Sequence, residues 1–140
     1  MRIFIDTSAF CAFTIPKDQH NASAKALYKT IKTIQKDKAA IYTSDYVLDE
    51  VYTLLKTRGS HATSVKFMDE IARSHIIILR VTEEIEASAK LIFRRFEDKR
   101  LSFTDCTSFA LINQFGIEAV FAFDEHFRYH PYTHAVKFFG

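Results

Sequence analysis

Tryptophan is absent from this chain, and cysteine, proline and glycine are scarce: two, two and three in 140 residues. Two thiols, Cys11 and Cys106, build no disulfide framework and lack zinc-ligand spacing. Each falls among apolar neighbours in a predicted helix and reads as core filler. So little glycine and proline leaves no linker, repeat or low-complexity tract. No apolar run is long enough to span a bilayer. A strand that begins at Arg2 leaves no room for a signal peptide, so the expectation is a soluble, cytoplasmic protein with no membrane attachment. A large excess of one charge sign is missing too. A formal charge of +2 neither demands nor excludes a nucleic-acid partner. What the chain does have is apolar and aromatic: 48% hydrophobic residues, with 14 Phe. That supports a packed core and one domain, residues 1–140.

Short apolar runs alternate with helical patterns. Arg2 to Ile5, Ala40 to Thr43, Ile76 to Leu79, Ala119 to Phe123 and Ala135 to Phe139 read as strands. Helices are predicted over Thr7 to Phe13, His20 to Lys38, Ser44 to Arg58 with Gly59 as stop, from Ser60, from Thr82 to Phe96, and around Asp105 up to Gly116. One further turn is expected at Asp124 to Arg128. Strands alternating with helices imply a parallel sheet covered on both faces. In such sheets the ligand crevice lies beyond the carboxyl ends of the strands.

Four acids fall where that crevice should be. Asp6 ends the first strand and Asp124 follows the fourth. Asp105 shares a helical stripe with Phe109 and Ile112, at i, i+4 and i+7. Glu50 lies at the edge of the apolar face made by Val47, Val51, Leu54 and Leu55, whereas its neighbour Asp49 points away to solvent. Each acid has an ordinary explanation: Asp6 as a helix cap, Asp105 in a capping box with Ser102, Asp124 in a turn, Glu50 as a boundary carboxylate. Together they would share one rim. Four carboxylates in a low-dielectric pocket repel, so some protonate or a cation neutralises them. All-oxygen donors favour a hard ion, Mg²⁺ or Mn²⁺. That ion suits phosphodiester hydrolysis.

The segment Ile5-Asp6-Thr7-Ser8-Ala9 resembles the opening motif of PIN-domain nucleases. Glu50-Val51, Phe103-Thr104-Asp105-Cys106 and Phe123-Asp124-Glu125-His126-Phe127 resemble their second, third and fourth acidic motifs, in order and over nearly the whole chain. The spacing is similar to that of VapC-like toxins of toxin–antitoxin pairs. The resemblance implies a three-layer α/β/α sandwich around a mainly parallel sheet of four or five strands. It also implies a metal-dependent endoribonuclease, with Asp6, Glu50, Asp105 and Asp124 as catalytic acids and Asp6, Asp105 and Asp124 on Mg²⁺ or Mn²⁺. Ser8 and Thr104 match positions of supporting hydroxyls. Ala122 departs from the family pattern, which often has Thr or Ser two residues before the last Asp. The implied partners are an RNA substrate, a cognate antitoxin and a second copy in a homodimer. The antitoxin would lie in an apolar groove near Phe10, Phe13, Leu27 and Ile31, residues that are more simply read as plain core.

Two basic clusters invite a phosphate role: Lys25, Lys29, Lys32 and Lys36 on one helix face, and Arg94, Arg95, Lys99 and Arg100 before Asp105. The first is more simply a solvated face. His126, His130 and His134 recur every four residues, but Pro131 breaks the helix that a zinc face would need. His126 is expected close to Asp124. Competing functions are RNA processing without a toxin role, a phosphotransfer domain with Asp6 as phosphoacceptor, and a non-catalytic module. The haloacid dehalogenase pattern is unmet, because Ser8 stands where a second Asp is needed. A receiver domain wants an acidic pair on the first strand, where Asp6 is alone.

Overall fold

The computed structural model describes residues 1–35 and 40–140. In chain order the elements are β1 (Arg2–Ile5), α1 (Thr7–Thr14), α2 (Asn21–Gln35), β2 (Ala40–Ser44), α3 (Asp45–Arg58), α4 (His61–Arg73), β3 (Ile77–Leu79), α5 (Glu83–Arg95), α6 (Phe103–Gln114), β4 (Ala119–Phe121), α7 (His126–Tyr129) and β5 (Lys137–Phe139). The strands form one sheet, in the order β3-β2-β1-β4-β5. All four pairings are parallel, with Ile3 opposite both Ile41 and Ala119. The architecture is the expected α/β/α sandwich. The predicted end of α2 at Lys38, and Lys36 of the basic stripe, lie outside the described residues.

Local chemistry explains the boundaries. Ser44, Ser60 and Thr82 each cap a helix by accepting a backbone N–H at the third position in. α6 ends in a Schellman motif: Ile117 N–H donates to Ile112 C=O at 3.0 Å, and Gly116 takes the left-handed φ of 58° that this turn requires. Three strands are shorter than predicted, the last beginning at Lys137 and not at Ala135. The Ile76-to-Leu79 run becomes a three-residue edge strand with Ile77 44% exposed, so its apolar character does not reflect a central position. β4 stops at Phe121 because the N–H of Phe123 is taken by the Ser8 hydroxyl, at 2.9 Å, in place of a strand neighbour.

The topology positions the site. From β1 the chain steps outward to β2 and β3, then returns to place β4 on the other side of β1. The order reverses between β1 and β4, and beyond their carboxyl ends a crevice opens. Asp6 directly follows β1, and its N–H donates to Phe121 C=O of β4 at 3.0 Å. α6 is buried along Asp105 to Ile112, so Asp105 is carried inward by a helix packed on nearly all sides.

Candidate active site

A cleft of about 360 Å³ opens at this reversal point. Asp6, Glu50, Asp105 and Asp124 all line it, together with Ser8, His20, Leu54, Arg58, Arg100 and Phe123. Asp6 caps α1: its Oδ2 accepts from Ser8 N–H at 3.1 Å and from the Ser8 hydroxyl at 2.8 Å. Ser8 Oγ in turn accepts from Phe123 N–H, so one hydroxyl ties β1 to the segment carrying Asp124. Asp105 and Ser102 form the expected capping box, with N–H to oxygen distances of 3.2 and 3.0 Å. Glu50 is half-buried and Asp49 exposed, which follows from their places on the apolar face of α3.

Asp6 is 2% exposed, and its second oxygen, Oδ1, is buried with no hydrogen-bond partner among the described residues. An unpaired buried carboxylate oxygen is costly. Burial raises the Asp6 pKa to about 6, against the opposing hydrogen bonds from Ser8, with the Asp124 charge adding to the rise. Burial raises Asp105 to about 7, reinforced by the charges of Asp6, Asp124 and Glu50. A site in which acids repel and one oxygen lacks a donor fits a cation bound by oxygen ligands.

Asp105, Asp124 and His126 bring one ligand-type atom each within 4.8 Å of one another. The histidine is better described as a strap than as a ligand. Its Nδ1 lies 2.8 Å from Asp124 Oδ1 and its Nε2 3.0 Å from Asp98 Oδ2, so both nitrogens are occupied by carboxylates. Hydrogen bonding to Asp98, then the neighbouring Asp124 charge and hydrogen bond, raises its pKa against partial burial. The zinc face already disfavoured by Pro131 gains nothing from the other two histidines. His130 stacks on Phe109 at 4.0 Å, and His134 Nε2 meets Ile117 C=O at 2.6 Å.

Other expected participants fall elsewhere. Of the second basic cluster, only Arg100 lines the cleft; Arg94, Arg95 and Lys99 do not, and Arg95 lies over the Phe96 ring at 5.1 Å. They sit on or just after exposed turns of α5, which ends before the rim. Lys25, Lys29 and Lys32 are exposed on α2, away from the cleft lining. Thr104 is half-buried and not among the lining residues, because the first turn of α6 directs Asp105 inward instead. The apolar depression at Phe10 and Phe13 is completed by Tyr28 and Phe67, not by Leu27 and Ile31. Ile31 is fully buried on the core side of α2. Both cysteines are buried, and burial pushes each thiol up to about 11.

Arg58 and His20 were not singled out from sequence. Arg58 had a usable signal: Glu50, Leu54 and Arg58 recur at i, i+4 and i+8 on α3, and all three line the cleft. His20 had none, since its place depends on a turn between α1 and α2.

A model of the PIN domain matches residues 3–131. This chain belongs to the PIN-domain family. The matched span includes all four acids of the cleft. The PIN domain is 31% identical over 125 residues to the 23S rRNA-specific endonuclease VapC20 of Mycobacterium tuberculosis, covering 89% of this chain and 91% of the relative. It superposes on the crystal structure of that protein, a Sarcin-Ricin loop cleaving toxin, with a TM-score of 0.80 and 30% identity over 90% of this chain and 92% of the other. Rickettsia felis VapBC2, bound to a promoter DNA fragment, gives a TM-score of 0.72 at 17% identity, with both chains fully covered. At that identity the likeness concerns the fold alone. No helix among the described residues is long and apolar enough to cross a membrane.

Two expectations follow for this PIN domain. Both raised carboxyls bind more protons folded than unfolded between about pH 4 and 7, so without metal their contribution to stability falls as pH rises. Asp105→Asn removes part of that penalty and keeps an acceptor for Ser102 N–H. The variant should therefore gain unfolding free energy over wild type, with a difference that grows from pH 5 to pH 8 and reaches on the order of a few kcal/mol, read in melting temperature as a rise over wild type. The difference carries the test, because His130, lowered to about 4 mainly by burial, titrates in the opposite sense in both proteins. A pH-independent difference would contradict it. Secondly, Ser8→Ala strands the Phe123 N–H and leaves Asp6 Oδ2 with only the backbone N–H of residue 8 as donor. It should cost about 1–3 kcal/mol in urea unfolding, without a change in m.

Proposed function

We propose that this PIN domain is a divalent-metal-dependent endoribonuclease, with Asp6, Asp105 and Asp124 holding Mg²⁺ or Mn²⁺ and Glu50 completing the acidic set. The observation that carries this is the unpartnered, buried Asp6 Oδ1 in a cleft shared with three other carboxylates. When bound, such an ion neutralises the acids, acidifies a water and stabilises charge on the phosphate. Glu50, half-buried at the cleft edge, orients that water and accepts its proton. Ser8 holds the Asp6 carboxylate in one rotamer. Arg58 and Arg100 stand on the cleft lining as guanidinium donors for the substrate's phosphates.

The 31% identity to a 23S rRNA-specific endonuclease supports RNA as substrate and makes ribosomal RNA the first to test. The likeness to a structure described as a Sarcin-Ricin loop cleaving toxin supports a toxin role, with a cognate antitoxin as partner; a homodimer is proposed as the assembly. The apolar depression formed by Phe10, Phe13, Tyr28 and Phe67 is the surface on which an antitoxin segment would lie. A receiver-like phosphotransfer function is less well supported, as no lysine lines the cleft among the described residues. Incubating purified protein with ribosomal RNA and Mn²⁺, then mapping the ends, tests the proposal. Discrete internal cuts that vanish on chelation are expected. Intact RNA under all metal conditions, or cuts unaffected by chelator, would refute it.

A further inference from the structure

The wall of the cleft beside the acids carries a pair of flat rings. His20 and Phe123 stack with centroids 4.6 Å apart and planes only 5° from parallel. Both rings are half-buried and both line the cleft. Parallel stacking pairs one face of each ring, in contrast to the edge-on contact that Phe123 makes with Phe121 at 65°.

Both rings are held from below by the backbone. Phe123 N–H donates to Ser8 Oγ, which also binds Asp6, so the ring is fixed relative to the first acid. Phe123 also precedes Asp124 directly. His20 sits in a closed turn. Its N–H donates to Asp18 Oδ1 at 2.8 Å, Asp18 N–H donates to Ile15 C=O, and Asn21 Nδ2 donates to Ala12 C=O at the end of α1. His20 C=O accepts the first bond of α2 from Ala24. The loop thus holds an imidazole over a phenyl ring at the mouth of a polar cleft, outside the buried core.

We propose that the His20–Phe123 stack is a platform for one unpaired base of the RNA, which seats the adjoining phosphate at the acids. This rests on the endoribonuclease reading and adds to it a requirement for a single-stranded nucleotide next to the cut. Every base has a π-face, so a ring platform accepts an unstacked nucleotide with little sequence preference. A paired base is stacked within its helix and cannot reach the ring. Hence the substrate class is a loop, bulge or other single-stranded site.

The test uses an RNA that the wild-type protein cuts, prepared also with an abasic sugar at each position flanking the cut. His20→Ala should raise KM about tenfold or more while kcat stays within about threefold, and His20→Phe should restore KM. One abasic position should cost the wild type the same factor and cost His20→Ala nothing further, since both remove the same contact. Unchanged KM in His20→Ala, failure of His20→Phe to restore it, or additive losses would overturn the platform and leave the nuclease standing. If His20→Ala does not fold, the abasic series on wild type alone decides: no sensitive flanking position means no platform. A wild-type protein that cuts no RNA refutes the endoribonuclease reading itself, and the platform with it.

Discussion

Asp6→Asn is expected to lower RNA cleavage by more than about a hundredfold while the protein remains folded. Changing groups that merely hold a metal ligand costs about 10–100-fold, so losing a ligating charge should exceed that range. The fold should survive because asparagine is as good an N-cap as aspartate. Its amide oxygen can accept from Ser8 N–H and Ser8 Oγ as Asp6 Oδ2 does. The amide nitrogen would then occupy the place of Oδ1, the oxygen that lacks a partner. Removing a buried charge beside Asp105 and Asp124 also relieves repulsion. The melting temperature of the metal-free variant should therefore equal or exceed that of wild type. Initial rates with Mn²⁺, alongside thermal unfolding, check both parts. Wild-type rates from Asp6→Asn protein would remove Asp6 from the active site.

Metal addition should have the largest effect on stability. At a concentration about 100 times its dissociation constant, an ion that binds only the folded state adds about 2.7 kcal/mol. For a chain of this size that is a rise in melting temperature on the order of 10 °C. The rise should be large at pH 8 and small at pH 5, because the ion must displace protons from carboxyls whose pKa values are raised to about 6 and about 7. Titration calorimetry in buffers of different ionisation enthalpy should show proton release near pH 6. Chelation should abolish cleavage, and Mn²⁺ or Mg²⁺ should restore it. The absence of any thermal shift with either ion at pH 8 would remove the metal from the proposal.

Much of this molecule was legible because its helices announce their ends. Ser44, Ser60, Thr82 and Ser102 stand one residue before the helices they cap, and Gly116 stands where α6 must turn left-handed. Glu50 could be separated from Asp49 because α3 has a clear apolar face. Less was legible where local pattern carries no information on neighbours. Ile76 to Leu79 read clearly as a strand, but its pattern could not say that it lies at the sheet's edge with Ile77 exposed. Ile31, weighed between an apolar groove and plain core, lies in the core. Arg94, Arg95 and Lys99 precede Asp105 in sequence, but only Arg100 reaches the cleft, because the loop between α5 and α6 must first turn back.

Periodicity, caps and turn residues are local interactions, so the order of strands and helices, and the presence of acids at their ends, follow from the amino acids in a row. The depth of the acids does not. Asp6 and Asp105 come together only because β4 crosses back to lie beside β1, bringing residues about a hundred positions apart to one crevice and shutting water away from them. The same crossing sets Phe123 under His20 and gives Ser8 two partners from opposite ends of the chain. Desolvation and like-charge repulsion depend on that packing, and they raise the Asp6 and Asp105 carboxyls above the ordinary carboxylate range.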